Sequence, residues 1–534
     1  MSIEGKTIDK WITDARRAGL VGAAGFDAAA ASGEKAAALL FPGSVKQKNG
    51  TVYALLKVPG ASSGGPAFSW DRALGIFGPS AAFSGFEGEV VEIAGSGGGN
   101  PAKALFASLD HVNAAALRRA LPFTAPSPLA SSAVTFGAGD RLGVAGAGHL
   151  RVMSRYQASP VLAQQSVREL DLTGRDYAQV LDASTWSVFQ EGYDRPWGAD
   201  GDHLKTEDWV RTALQIGFTR ITADVSDYIR HEYAGAADAA VLEAYDRLER
   251  GYRRRIEDTY LPLKVDLDTG ETVSFSQEVL ARTALIYAQA IEHALRLYRA
   301  GVAVKGEGAF DFELSVDETE TPTTPEAHVF VVLESRHLGM KVGSLAPRFV
   351  GEFQKGIDYI GDLKAFQQTF ATHAALARKF GCRISVHSGS DKFSVFPIVG
   401  ELTRGRYHIK TAGTFWLEAM KIIAAQEPAL YRKLHQAALE RFHKATSYYM
   451  VTTNLENVPS LDGLQDQQLP GLFDNPDARQ LIHITYGELL RDEALGLAFF
   501  QGLHRHIETY WSAVEKHTEN HLRTLGVKES DNGR

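Results

Sequence analysis

From about residue 185 onward, apolar residues come in short runs closed by polar ones. These runs alternate with longer stretches in which apolar positions recur every three or four residues. A period of two marks a strand and a period near 3.6 marks a helix, so the alternation predicts βαβ units. Strands are expected at 218–227, 310–318, 341–349, 383–390, 407–413 and 481–487, and helices at 236–257, 278–300, 361–380, 414–449 and 489–524. Weaker strand signals at 186–190 and 447–453 bring the count towards eight. The expected fold class is α/β, a (β/α)8 TIM-like barrel, with an open doubly wound sheet as the alternative. Both architectures gather working groups at the C-terminal ends of the strands.

One segment, HVFVVLESRHLG at 328–339, is rich enough in Val and Leu to pass for a strand. Thr324, Pro325 and Glu326 ahead of it supply N-cap chemistry with proline in the first turn, and Gly339 supplies a stop, so it reads as a helix. Glu334 and His337 then lie outside the barrel and are excluded as ligands. The first 150 residues differ in character. They are rich in Gly, Ala and Ser, with strand-like TVYALLKV at 51–58 and EGEVVEIA at 87–94, and form an N-terminal, partly β subdomain. The barrel is assigned to 151–524 and a polar tail to 525–534. GSGGGNP at 95–101 lacks the Lys-Ser or Lys-Thr pair of a phosphate-binding loop and reads as a flexible connection, while GAGDRLG at 137–143 matches a dinucleotide fingerprint only loosely.

Composition narrows the chemistry. The chain has 534 residues, 44% of them hydrophobic and 22% charged, with a net charge of −8 and a single cysteine. No basic footprint for nucleic acid is visible. Cys382, in KFGCRISV, reads as a packed thiol, and its solitude rules out internal disulfides and Cys-rich zinc motifs, leaving His, Asp and Glu for any metal. Neither a signal-peptide core nor eighteen consecutive apolar residues occurs, so a cytoplasmic protein without membrane partners is expected, with assembly into a homo-oligomer left open.

Polar residues recur at the predicted strand ends: Asp202, His203, Asp224, Asp227, Glu313, Asp317, Glu318, Arg348, His387, Lys392, His408, Lys410 and His483. A polar side chain inside a barrel strand costs desolvation unless it meets a partner or a metal. In FELSVDE, alternation puts Glu313, Ser315 and Asp317 on one face and Phe312, Leu314 and Val316 on the other. If the apolar face meets helices, Glu313 and Asp317 look into the barrel. His387 and His408 sit at similar depths on neighbouring segments and can share a metal, with His203 completing an open site. Arg348 is either a bidentate clamp for a carboxylate or one half of a surface ion pair. HSGSDKF offers Ser388 and Lys392 to an anionic or hydroxylated ligand, with Gly389 explained equally by a tight turn. Asp224 and Asp227 read as helix caps, and His483 as a satisfied core residue.

The strings GADGDHLKT, TADVSDYI, FELSVDETETPTTPEAH, SLAPRFVGEFQKGIDYIGD, SVHSGSDKFSVFP and YHIKTAGTFWLEA together resemble the tagaturonate epimerase family, whose relatives include tagatose 4-epimerases. The resemblance spans roughly residues 198–487. It implies interconversion of tagaturonate and fructuronate, or of the matching ketohexoses, assisted by a divalent cation such as Zn, Mn, Ni or Co. Carried over residue by residue, it makes Asp202 and Glu313 catalytic acid/bases and His203, His387 and His408 metal ligands. Arg348, Ser388, Lys392, Lys410 and Asp317 are expected to contact substrate. The two uronates differ at a carbon β to the ketone, which simple enolisation cannot invert, so the expected chemistry is retro-aldol cleavage, rotation and re-addition. A class II-type aldolase or isomerase and a non-catalytic carbohydrate-binding protein are the rival readings.

Overall fold

A computed structural model describes residues 3–22, 24–58, 71–94, 102–449 and 451–530. The glycine-rich run at 95–101 lies outside the described residues. Eight strands close into a barrel in which every neighbouring pair is parallel: β1 (Val134–Ala138), β2 (Ser159–Ser166), β3 (Gly198–Leu204), β4 (Arg220–Asp224), β5 (Asp311–Val316), β6 (Ser344–Pro347), β7 (Arg383–Val386) and β8 (Tyr407–Thr411). Helices occupy each crossover, including Gln277–Lys305 between β4 and β5 and Leu363–Phe380 between β6 and β7. Asp317, His387 and the other strand-end residues therefore gather at one mouth.

Five of the expected strands are present, and their hydrophobic alternation is the reason. The remaining three were hidden by composition. β3 is GADGDHL, β1 is VTFGA and β2 carries two glutamines, and Gly, Asp and Gln dilute the β-branched signal of a strand. Because β1 begins at Val134, the barrel starts inside the 1–150 segment assigned to the N-terminal subdomain.

Three strand expectations are corrected. Residues 481–487 belong to helices Pro476–Ile484 and Tyr486–Leu490, because Asn475 caps the first by accepting from the Ala478 amide and Pro476 occupies its first turn. Residues 186–190 lie within helix Tyr177–Glu191, which a reciprocal capping box between Asp176 and Gln179 starts. The described residues of 447–453 are turn and coil. The long helix expected over 414–449 is two, Gly413–Gln426 and Pro428–Ala445, broken where proline removes an amide donor.

Helix Pro325–His337 forms as expected, with the Thr324 hydroxyl accepting from the Ala327 amide at 3.1 Å. Glu334 is held on the outside by Arg255, 2.6 Å away, and by the Tyr260 hydroxyl at 2.8 Å. The loose dinucleotide match at 137–143 serves a turn, since Asp140 itself accepts from the amides of Leu142, Gly143 and Ala145. Cys382 is buried and its thiol is pushed up to about 11 by burial.

Ahead of the barrel stands a five-stranded antiparallel sheet, with Thr51–Lys57 and Arg72–Phe77 near its centre. On Thr51–Lys57, Val52, Ala54 and Leu56 face helix Gly5–Arg17, while Tyr53 and Leu55 join the large core that continues into the barrel. Both faces are covered, which explains why this strand reads as an unbroken apolar run. The expected tail at 525–534 is tied down over its described part: the Lys528 carbonyl accepts from Gln157 and the Ser530 amide donates to Arg155. No helix among the described residues is long and apolar enough to cross a membrane.

Candidate functional site

The site begins with an irregularity in β3. Its register with β4 shifts between Gly201 and Leu204, and His203 adopts φ +52°. On a regular strand two consecutive side chains face opposite ways, whereas here Asp202 and His203 both border one pocket at the barrel mouth. A left-handed non-glycine residue costs of order 1 kcal/mol. Two more follow β7, Ser388 (φ +51°) and Asp391 (φ +57°), while Asn49, Asp71 and Arg404 adopt the same conformation away from the site.

Beneath the mouth lies a layer of buried charge. Lys410 Nζ lies 3.1 Å from Asp200 Oδ2 and 3.2 Å from Glu313 Oε1, and it also donates to Asp202 and to Thr222 Oγ1. Arg220 donates to Glu313 and, at 2.8 Å, to Ser344 Oγ. Burial opposes the charge on Lys410, but Asp200, Asp202 and Glu313 together raise its pKa, so it stays an ammonium. Burial likewise opposes ionisation of Asp202, and Lys410, His203 and His387 outweigh it, keeping Asp202 a carboxylate.

Glu313 is completely buried and does not reach the pocket. Its Oε1 accepts from His387 Nε2 at 2.7 Å and its Oε2 from Ser344 at 2.6 Å. The structure therefore does not place Glu313 against substrate as an acid/base. It holds one nitrogen of His387 and leaves Nδ1 directed towards Asp317, 3.2 Å away. His387 Nδ1 and His203 Nδ1 are both buried without a hydrogen bond, the latter 3.4 Å from Asp224 Oδ2. His203, His387 and Asp317 each offer a ligand atom within 4.8 Å of the others, and His203, Asp224 and Glu318 form an overlapping group.

His408 does not join them. It pairs in register with Ser385, two residues below His387, and its Nδ1 meets Thr135 Oγ1 at 2.8 Å. Burial, then nearby Arg220, holds its pKa well below the usual value, and it sits a layer deeper in the barrel than the sequence suggested. Lys410, two positions further along the same face of β8, is the residue that reaches the mouth.

The other expected contacts divide between two adjoining spaces. The inner pocket, about 70 Å³, contains Asp202, His203 and Lys410. An outer chamber of about 750 Å³ contains Arg348, which is paired with Glu352 at 3.2 Å. Asp317, His387, Ser388 and Lys355 border both. Lys392 borders the inner pocket, but its amino group, whose pKa burial lowers to about 7, donates to the carbonyls of Gln354, Ile357 and Ser390 at 2.8, 2.6 and 2.9 Å. Asp224 caps locally through the Ser226 amide, and Asp227 pairs with Lys205. Sequence reading missed Arg141, Glu169, Asp200, Arg220 and Lys355. Four of them lie in segments not recognised as strand ends, and Arg220 opens its strand rather than closing it.

The sequence model of the tagaturonate epimerase family matches residues 80–525. A curated tagaturonate/fructuronate epimerase from Thermotoga maritima is 42% identical over 422 residues, which cover 79% of this chain and 86% of that protein. The glycerol-complexed crystal structure of fructuronate-tagaturonate epimerase from Cohnella laeviribosi superposes with a TM-score of 0.85 at 42% identity, covering 93% of this chain and 98% of that one. A second structure of that enzyme, with two glycerols, gives 0.86 at 40% identity over 98% and 100% of the two chains. The chain belongs to the tagaturonate epimerase family.

Proposed function

We propose that this protein is a divalent-metal-dependent epimerase that interconverts tagaturonate and fructuronate, accepting the matching ketohexoses as neutral counterparts. The observation that carries the reading is the convergence of His203, His387 and Asp317 beside the ionised Asp202 in one pocket. Two buried imidazole nitrogens without hydrogen bonds next to a carboxylate are a donor set that fits Zn, Mn, Ni or Co. His203, His387 and Asp317 would hold the cation, which supplies Lewis acidity to a ketone and its neighbouring hydroxyl.

The chain's own groups supply proton transfer and orientation. Asp202, kept ionised by Lys410, takes the proton from the hydroxyl on the carbon to be inverted, and the adjoining carbon–carbon bond opens in the retro-aldol sense. After the aldehyde half turns over and the carbon–carbon bond re-forms, the proton held by Asp202 returns to the new alkoxide and leaves Asp202 a carboxylate again. Glu313 fixes the orientation of His387 through Nε2, and Lys410 fixes that of Asp202. The narrow inner pocket keeps the two fragments together until they rejoin.

The test is an assay on tagaturonate, fructuronate, tagatose and fructose after chelation and with each metal restored. Epimer formation that stops on chelation and returns with metal is expected, without accumulating three-carbon products. Release of three-carbon fragments would make the protein an aldolase, and unchanged turnover after chelation would remove the cation from the reaction.

A further inference from the structure

The inner pocket has two chemically different sides. Asp202, His203, Asp317 and His387 come from β3, β5 and β7. Across the mouth, beyond β8, β1 and β2, stand Arg141, His483 and the first residues of helix Gly413–Gln426. This 14-residue helix begins without a side-chain cap, and its first residue, Gly413, borders the pocket. His483 is 1% exposed, and neither of its ring nitrogens has a hydrogen-bond partner.

These groups converge at Gly413. A Cβ there would fall 2.1 Å from His483 Nε2 and 2.8 Å from Arg141 Nη1, so only glycine leaves the helix start open to both. Arg141 is oriented by Glu169 at 2.8 Å and by the face of Tyr486, 4.0 Å from the ring centroid. Burial, reinforced by Arg141 and Lys355, keeps His483 neutral, so it can donate one N–H without carrying charge.

A buried donor with no acceptor, beside a guanidinium and an uncapped helix start, lacks only an anion. The geometry points to this end of the pocket as the seat of the substrate's carboxylate, held by His483, Arg141 and the Gly413 helix start, with Arg348 in the outer chamber not needed for it. The inference rests on the reading of the substrate as a keto-uronate. It places the ketone end at His203 and His387 and the carboxylate end across the mouth, so one pocket reads both ends of a six-carbon acid.

The test uses the full chain and two unreactive six-carbon probes, D-galactonate and the neutral galactitol, with binding followed by calorimetry. The wild-type protein is expected to prefer galactonate, and His483→Leu to cut that preference by about ten-fold, the value of a hydrogen bond to a charged group. His483→Gln, which retains an amide donor, should recover part of it, and it serves if the leucine variant does not fold. Loss of the preference in Arg348→Ala with none in the His483 variants would move the carboxylate to the outer chamber and overturn the assignment. Turnover is scored separately. Epimerisation of tagaturonate with an undisturbed preference in the His483 variants sinks this site alone, whereas a His483-dependent preference without epimerisation sinks the functional reading alone.

Discussion

Glu313 shows how a residue can be central without touching substrate. Its two oxygens receive His387, Ser344, Arg220 and Lys410, and it is wholly buried. Replacing it by glutamine removes one negative charge from a layer that holds two permanent cations. Breaking such a pair typically costs about 3–5 kcal/mol, because Arg220 stays buried and loses the carboxylate it donates to. Glu313→Gln should therefore unfold at clearly lower denaturant or temperature, and should also weaken metal binding by roughly 10–100-fold as His387 loses its orientation. Normal stability with activity lost would instead mark Glu313 as a proton carrier. Alternation in FELSVDE correctly turns this residue inward, but a pattern of period two says nothing about depth. That is why Glu313, Asp317 and His408 read alike in sequence and occupy different layers in the barrel.

At the scale of elements, β4 to β8 were legible because apolar residues that face the helices alternate with polar ones that face the barrel interior. β3 was not, because the residues that make it functional, Gly198, Asp200, Gly201, Asp202 and His203, are the ones that erase a strand signal. The loop after β6 was equally opaque, since its conformation depends on distant partners. Lys392 ties it by donating to the Gln354 and Ile357 carbonyls, and Gln354 in turn accepts from the amide of Thr452 at 3.0 Å and from Gln480 at 3.1 Å. Lys392 is thus a fastener between two walls of the site. Lys392→Met should speed amide exchange across 352–360 by about 10–100-fold, reflecting the lost hydrogen bonds to two of its carbonyls. Hydrogen-exchange mass spectrometry reads this directly, and unchanged protection there would show that the glutamine contacts alone suffice.

The whole molecule buries several histidines as neutral groups, and this sets its response to acid. Burial lowers His435 to about 4, His373 to about 4 and His149 to about 3. In the unfolded chain each titrates near the ordinary value of 6.5, so between that pH and the folded value the unfolded state binds more protons. Stability is therefore full above about 6.5 and is lost progressively as pH falls towards 4. His203, His387 and His517, each raised despite its burial by neighbouring carboxylates, work in the opposite sense, gaining stability as they protonate, but they are three groups against the eight histidines that burial lowers. His435 isolates the effect. It lies in helix Pro428–Ala445, with one ring nitrogen 3.2 Å from the Tyr431 hydroxyl and the other unpartnered, and it borders none of the spaces around the barrel mouth. Unfolding His435→Leu and the wild type in denaturant across the pH range should show the variant gaining about 2 kcal/mol relative to wild type on going from pH 8 to pH 5. Two curves that run parallel through that interval would mean that His435 is protonated in the folded protein, and that the acid sensitivity lies with the other buried histidines or with the carboxylates of the barrel.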